Sequence, residues 1–421
     1  MSILIIISVV IVLGGVLFVF LGKKGAEGKS DVKKKEDNKI KLQLNGGKTV
    51  STKKGTSVLS ALSNDKIYLP SSCGGSGICG QCKIKINTEG EFPVTPYEKD
   101  HIKEEDRVKG YRLGCQTVCR QDMTIEVPPE SLGAKKLKYK VKSVKELTPY
   151  IREVILTPSD SNYHKFVAGS YVEIDIPSHK TDMTGIELTN INRDIWEKDG
   201  ISCLKSDNDK PTKRAYSMAN YQDGSDMDLV LNVRLQTPTK KDLEDSTDSV
   251  KKMVGRGSTY MWTLKSNDSV EVSGPYGKFR ASDNKSKTMV FIGGGAGMAP
   301  LKSIMSDQLE VQKTNRNIYF YYGARSRREL FYDANFTELK NKYTNFKMEI
   351  SLSDAQGDDT WGGHKGYVHE LLKSDLLDKI KDIENYEFYI CGPKPMNEAV
   401  VRTLKDFGVS DSDIRIDDFG V

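Results

Sequence analysis

Three changes of hydrophobic pattern predict a multidomain chain: a small unit of short strands, an antiparallel β-barrel, and an α/β domain with a parallel sheet. The first stretch alternates apolar and polar residues and is interrupted by a cysteine-glycine loop. The second carries strand-like runs at regular spacing. The third has unbroken apolar runs, the pattern of parallel strands buried on both faces. A fourth observation adds an N-terminal transmembrane helix, since Ile3 to Leu21 is a 19-residue run of Ile, Val, Leu and Phe broken only by Ser8, Gly14 and Gly15. The expected units are a membrane anchor over 1–22, a tether over 23–38, and domains over 39–130, 135–281 and 286–421.

The apolar run comes close to the roughly 20 residues that span a bilayer as a helix. A cleaved signal peptide needs a positive n-region, a shorter apolar core and a small-residue cleavage site, none of which is evident. No Lys or Arg precedes the run, whereas Lys23, Lys24, Lys29 and Lys33 to Lys35 follow it. The positive-inside rule then orients everything after residue 22 toward the cytoplasm, on a single-pass anchor. Residues 22–38 are polar, lysine-rich and without aromatics, which suits a flexible tether.

In the first domain, Ile40-Lys-Leu42-Gln-Leu44 and Thr49 to Thr52 read as a hairpin about Asn45-Gly46-Gly47. A short helix over Ser57 to Leu62 and strands at Lys83–Ile86 and Met123–Val127 follow. Tyr139–Val144, Ile151–Leu156, Tyr171–Ile176, Leu229–Leu235 and Val270–Val272 are the expected strands of the barrel. A long polar stretch, 178–213, interrupts them and has no assigned role. Gly255 to Trp262 opens a helix. Thr288–Ile292, Ile318–Tyr322, Phe346–Leu352 and Glu387–Ile390 are expected parallel strands, with a helix from the glycine-rich turn to about Val311.

Chemistry enters with the cysteines. Cys73, Cys79 and Cys82 stand in the spacing C-x5-C-x2-C, with a further cysteine well downstream. A [2Fe–2S] cluster requires four thiolates, and this spacing lets three come from one loop and the fourth from a separate segment. Gly74, Gly75, Gly77 and Gly80 let backbone N–H groups approach the inorganic sulfides. A zinc ribbon would want two C-x2-C knuckles, and only Cys79/Cys82 forms one. Seven cysteines in 421 residues are too few for a disulfide scaffold. Cys115 and Cys119, four apart, both compete for the fourth position. The net charge of +5, from 63 basic and 58 acidic residues, gives no sign of a nucleic-acid surface. The five histidines show no metal-ligand spacing.

Arg112-Leu-Gly-Cys115 resembles the R-L-x-C segment of ferredoxin-like domains, which implies Cys115 as the fourth ligand and a β-grasp fold for 39–130. Arg214-Ala-Tyr216-Ser217 resembles the flavin motif of the ferredoxin–NADP reductase superfamily. An arginine fork suits the pyrophosphate of FAD, a tyrosine ring packs on the isoalloxazine, and a serine hydroxyl reaches its N5. Gly257, Ser258 and Thr259 at a helix start could take further phosphate charge, with Ser258 the side-chain donor. Gly293-Gly294-Gly295-Ala-Gly297-Met-Ala-Pro300 lies between a strand and a helix, where a dinucleotide phosphate turn belongs. The resemblance implies that Cys391-Gly392-Pro393 lines the nicotinamide and that Phe419 lies over the flavin. Ser217, Cys391 and Phe419 are thus the expected catalytic residues. The whole arrangement is similar to the family of F subunits of bacterial sodium-translocating NADH:quinone oxidoreductases. It implies hydride transfer from NADH to FAD, single electrons through [2Fe–2S], integral membrane subunits as partners and quinone as the final acceptor. A reductase serving an oxygenase, or a ferredoxin-like carrier with an inactive reductase part, are the alternatives. No segment resembles a sodium site.

Charge and resemblance point to different nicotinamides. Arg325-Ser326-Arg327-Arg328, after the strand ending at Tyr322, favours a 2′-phosphate and hence NADPH by charge. The resemblance implies NADH, with those arginines turned to solvent or to a carboxylate such as Glu329.

Overall fold

A computed structural model describes residues 38–239, 242, 253–355 and 360–419. The expected anchor, and the tether except for Asn38, lie outside the described residues. Among the described residues, no helix is long and apolar enough to cross a membrane.

The first sheet contains β1 (Lys39–Leu44), β2 (Thr49–Lys53), β3 (Lys83–Ile86), β4 (Tyr111–Leu113) and β5 (Met123–Glu126), in the order β2-β1-β5-β3-β4. Alternation buries Ile40, Leu42 and Leu44 on one face of β1, which runs parallel to β5 with Leu42 opposite Met123. Helix α1 (Val58–Asn64) starts where the Ser57 hydroxyl accepts from Ser60 N, and it buries Val58, Ala61 and Leu62 against the sheet. Two helices unforeseen in the sequence, α2 (Pro96–His101) and α3 (Glu104–Val108), fill the connection before β4. Thr95 and Glu98 form a capping box on α2. A short α4 (Pro129–Gly133) leads into the next sheet.

That sheet is antiparallel: β6 (Lys135–Thr148), β7 (Ile151–Pro158), β8 (Tyr171–Ile176), β11 (Thr212–Ser217), β12 (Leu229–Arg234) and β13 (Ser269–Tyr276), ordered β11-β8-β13-β6-β7-β12. A bridge between Met218 and Leu231 joins the two edges and closes the barrel. Val141, Val154, Leu156, Val172, Ile174, Leu231 and Val272 fill its interior.

The polar stretch 178–213 is not a bare loop. It folds into the antiparallel pair β9 (His179–Asp182) and β10 (Lys205–Asn208) with α5 (Asn190–Lys198) between them. Its few apolar residues are well spent. Trp196 is fully buried, packs at 5.3 Å on Trp262 of α6 (Arg256–Thr263), and donates from Nε1 to Pro149 O at 2.7 Å.

The third sheet is parallel throughout: β14 (Thr288–Gly293), β15 (Ile318–Ala324), β16 (Phe346–Leu352), β17 (His364–Lys365), β18 (Tyr386–Cys391) and β19 (Ile414–Ile416), ordered β17-β16-β15-β14-β18-β19. Helix α7 (Met298–Ser306) follows β14 and continues as a π-helical turn to Val311. Helices α8 (Asp333–Lys342), α9 (Val368–Leu372) and α10 (Lys394–Asp406) complete the covering layers. Arg316, just before β15, and Glu387, at the start of β18, form a buried ion pair.

The sheet is fastened to the barrel by polar contacts. The Tyr332 hydroxyl lies within donating reach of Glu153 Oε2, at 2.6 Å, and of Asn232 Oδ1, at 2.7 Å. Lys302 donates to Ala219 O at 3.1 Å and Ser303 to Asn220 O at 2.6 Å.

Because Trp196 belongs to the barrel core, Trp196→Ala removes a fully buried aromatic and leaves a cavity against Trp262. The expected loss is about 3–5 kcal/mol, read as a lower denaturant midpoint with unchanged slope.

Candidate redox site

The cysteine loop between α1 and β3 places its thiols in two pairs. Cys73 and Cys79 Sγ atoms lie 3.3 Å apart, and the Cys82 and Cys115 thiols shift one another, Cys82 upward and Cys115 downward. Cys79 beside it holds the Cys73 thiol down to about 3, while Cys79 itself is pushed up. Among the described residues, no three His, Cys, Asp or Glu side chains gather round a single ion. Two pairs fit two irons, each taking two thiolates.

The loop is shaped for that role by glycine. Gly80 has φ +66°, and a Cβ there would lie 2.7 Å from the His101 ring, so only glycine lets α2 close over the loop. Glu98 is buried and accepts from Leu113 N at 2.8 Å, which fixes the strand that leads to Cys115. Arg112 donates to Phe92 O, Arg107 O and Tyr111 O, so its guanidinium is a local brace. Cys119 is packed in the apolar core with Val58 and Leu62, and burial pushes its thiol up to about 11.

The loop rests on the barrel. Ser71 N donates to Glu173 of β8, whose carboxylate is fully buried and has Lys213 Nζ at 3.9 Å. Burial pushes the Glu173 carboxyl up to about 7, with Lys213 and Ser71 opposing. Arg214 Nη1 donates to Ser72 O at 3.0 Å and to Lys213 O at 2.7 Å. Arg214 also packs on the start of α6, where a Cβ on Gly257 would meet its Cγ at 2.4 Å. Ser258 Oγ donates to Gly255 O at 3.1 Å and accepts from Gln236 N at 3.0 Å, so its hydroxyl hydrogen serves the helix start. Thr259 is buried and its Oγ1 has no partner. Arg214, Tyr216 and Ser217 thus run along β11 from the α6 start toward the parallel sheet, and Tyr216 is half-buried against the barrel core.

At the far end of β11, three chain segments meet. Ser217 Oγ donates to Asp417 Oδ2 at 3.2 Å, and Asp417 N donates to Ile390 O at 3.0 Å, beside the buried Cys391. β19 pairs with β18, and this pairing delivers Asp417 there. Burial pushes the Asp417 carboxyl up to about 6, with the Ser217 hydrogen bond opposing it. Burial, with the charges of Asp417 and Asp418, raises the Cys391 thiol. Phe419 lies at the surface of the tail.

The glycine-rich turn is tightly built against its neighbours. A Cβ on Gly297 would lie 2.2 Å from Cys391 O, and one on Gly294 2.1 Å from Gly323 O. Those two glycines, with Gly293, are required by packing, whereas Gly295 opens to free space. Pro300 is buried in α7, and Gly392 and Pro393 lead into α10, with Asn397 Nδ2 donating to Gly392 O at 3.1 Å. Glu173 carries no signal in the sequence, and although the Thr95-x-x-Glu98 spacing announces a helix cap, no local spacing identifies the bond from Leu113 N to Glu98 or the one from Ser217 to Asp417.

Comparison with known proteins agrees with this layout. A family model described as a 2Fe-2S iron-sulfur cluster binding domain matches residues 42–120, and one described as an oxidoreductase NAD-binding domain matches 291–402. The F subunit of the Na(+)-translocating NADH-quinone reductase of Klebsiella pneumoniae is 40% identical over 381 residues, covering 90% of this chain and 91% of that protein. Its counterpart of the same name in Pseudoalteromonas atlantica is 40% identical over 386 residues, covering 91% and 92%. The chain belongs to the family of Na+-translocating NADH-quinone reductase F subunits. Its fold is shared with an Amycolatopsis cytochrome P450 reductase (TM-score 0.64, 24% identity, 90% of this chain and 98% of that one). The ferredoxin reductase in carbazole 1,9a-dioxygenase is also similar, with TM-score 0.57, 21% identity and the same coverage. This member of the family therefore combines a 2Fe-2S cluster binding domain with an oxidoreductase NAD-binding domain, and the barrel between them shares its fold with those reductases.

The geometry sets two expected outcomes. Cys115→Ala removes the reduced-state [2Fe–2S] EPR signal, and Cys119→Ala keeps it; the opposite pattern would reassign the fourth ligand. Above about pH 6 the Asp417 carboxylate holds the Ser217 hydroxyl hydrogen, and below it the hydrogen is released. NADH-driven bleaching of the flavin therefore speeds up as pH falls through about 6, and Asp417→Asn flattens that step in stopped-flow traces taken over several pH values.

Proposed function

We propose that this chain is the electron-input subunit of a sodium-translocating NADH:quinone reductase, taking hydride from NADH and passing electrons singly to integral membrane subunits and finally to quinone. FAD, when bound, accepts two electrons and gives them up one at a time, and the [2Fe–2S] cluster carries them singly. The observation that carries the reading is the junction at β11. Arg214 of the flavin motif bonds to Ser72 of the cysteine loop, and Ser217 of the same motif bonds to Asp417 beside Cys391. One strand thereby touches both the electron donor side and the acceptor side.

In this reading Arg214 and the start of α6 hold the FAD pyrophosphate, Tyr216 packs on the ring, and Ser217 is aimed at N5. Cys391 and Gly392 line the nicotinamide, and the turn at Gly295 meets the dinucleotide phosphates. Phe419 covers the flavin on its open side. Cys73, Cys79, Cys82 and Cys115 hold the irons. The run 1–22 anchors the chain in the inner membrane with the remaining domains in the cytoplasm, and the tether keeps them near their partners. Sodium export belongs to the assembled complex.

The test separates input from delivery. Cys79→Ala should leave NADH:ferricyanide activity in place and abolish NADH:quinone activity in membranes, and deletion of residues 1–22 should give the same split. Retained quinone activity in either variant would overturn the reading. NADH should exceed NADPH in kcat/KM by at least about tenfold.

A further inference from the structure

The basic run after β15 poses a problem that charge alone answers wrongly. Gly294 approaches Gly323 so closely that no side chain fits between them, and Arg325 follows Gly323 by two residues. Arg325 therefore stands just past the strand neighbouring the phosphate turn, where the adenine ribose of a dinucleotide falls. An unengaged arginine there would grip a 2′-phosphate.

Arg325 is engaged. Its Nη2 lies 2.5 Å from Glu329 Oε1, four residues on, across the short turn Arg327–Glu329. A second carboxylate comes from the stretch 178–213. Asp199, at the end of α5, accepts from the Tyr150 hydroxyl, and β6, which ends just before Tyr150, packs against the Arg327–Glu329 turn. The Asp199 charge acts on Arg325, whereas the Tyr150 phenol, held neutral by burial, only positions that carboxylate. Arg234 is a like charge close by, beside Arg327 and Arg328 of the same run, and Arg327 donates to Thr360 Oγ1 at 2.9 Å.

We infer that Glu329 is a specificity-determining residue that reserves the Arg325 guanidinium, and that Asp199 of the inserted stretch adds negative charge at the same place, so that the ribose site takes a 2′-hydroxyl and rejects a 2′-phosphate. The inference rests on the proposed use of NADH. It gives the insertion a role in choosing the nucleotide as well as in filling the barrel core. A 2′-phosphate entering this site must break the Arg325–Glu329 pair and sit near two carboxylates.

The test uses the full-length, FAD-loaded chain. Ferricyanide reduction is measured with NADH and NADPH, and adenosine 2′,5′-bisphosphate and adenosine 5′-monophosphate are titrated calorimetrically. Glu329→Gln should raise the NADPH-to-NADH ratio of kcat/KM by roughly three- to tenfold, the lower end reflecting the exposure of Arg325. Binding of the bisphosphate relative to the monophosphate should tighten by a similar factor. Adding Arg325→Ala should erase both gains, and Asp199→Asn alone should give a smaller rise of about twofold. Ratios that stay within about twofold in Glu329→Gln, or a gain that survives loss of Arg325, would overturn the inference. Absence of NADH oxidation in the unmodified chain would instead sink the reading of function, because the two nucleotide titrations probe the ribose site independently of turnover.

Discussion

A carboxylate taken wholly out of water holds the cluster loop to the barrel. Glu173 sits on β8 with no exposed surface and accepts from Ser71 N, while Lys213 stands at 3.9 Å. Burying a charge is costly unless it is hydrogen-bonded and paired, and both conditions are met only when the cysteine loop is seated. The same seating lets Arg214 reach Ser72 O. Position of the thiol pairs relative to the flavin motif therefore hangs on one buried side chain and one arginine. Replacing the carboxylate would leave the Ser71 N–H without its acceptor, a loss of about 1–3 kcal/mol at the seam between the cysteine loop and the barrel.

Much of this is legible in the residues, because the signals are local. The alternation of Ile40, Leu42 and Leu44, the apolar run before Gly293 and the spacing of Cys73, Cys79 and Cys82 each specify structure within a few residues. The Arg214-to-Ser217 motif is local too, and its strand lies where alternation does not announce one, since all but Ser217 are only half-buried. What stays hidden depends on partners far apart. Ser217 and Asp417 are 200 residues apart, and Glu173 and Ser71 are 102 apart. No periodicity encodes such pairs. The stretch 178–213 reads as loop because its strands are short and polar, and its anchor is a single aromatic, Trp196.

The arginine run after β15 shows how composition misleads when pairing is ignored. Charge counted along the chain favours a phosphate, whereas the folded chain sets Glu329 against Arg325 and brings Asp199 near from a different element. A helical turn is enough to convert a binding group into an internal brace. The same lesson holds for Arg112, whose donors are absorbed by three backbone carbonyls.

The two attachments of the barrel are unequal in kind. The parallel sheet is fastened through Tyr332, Lys302 and Ser303, side chains that bridge to Glu153, Asn232, Ala219 and Asn220. The cysteine module is fastened largely through the N–H of Ser71 and the carbonyl of Ser72, which any residue but proline could supply at the first position and any residue at the second. Cutting the chain before β6 would therefore not yield the reductase half unchanged. It would bare Glu173 and loosen Arg214, so a severed flavin half would carry a differently charged edge from the intact chain. Conversely, a foreign ferredoxin module could be grafted there with its own loop sequence, provided its main chain met those two side chains.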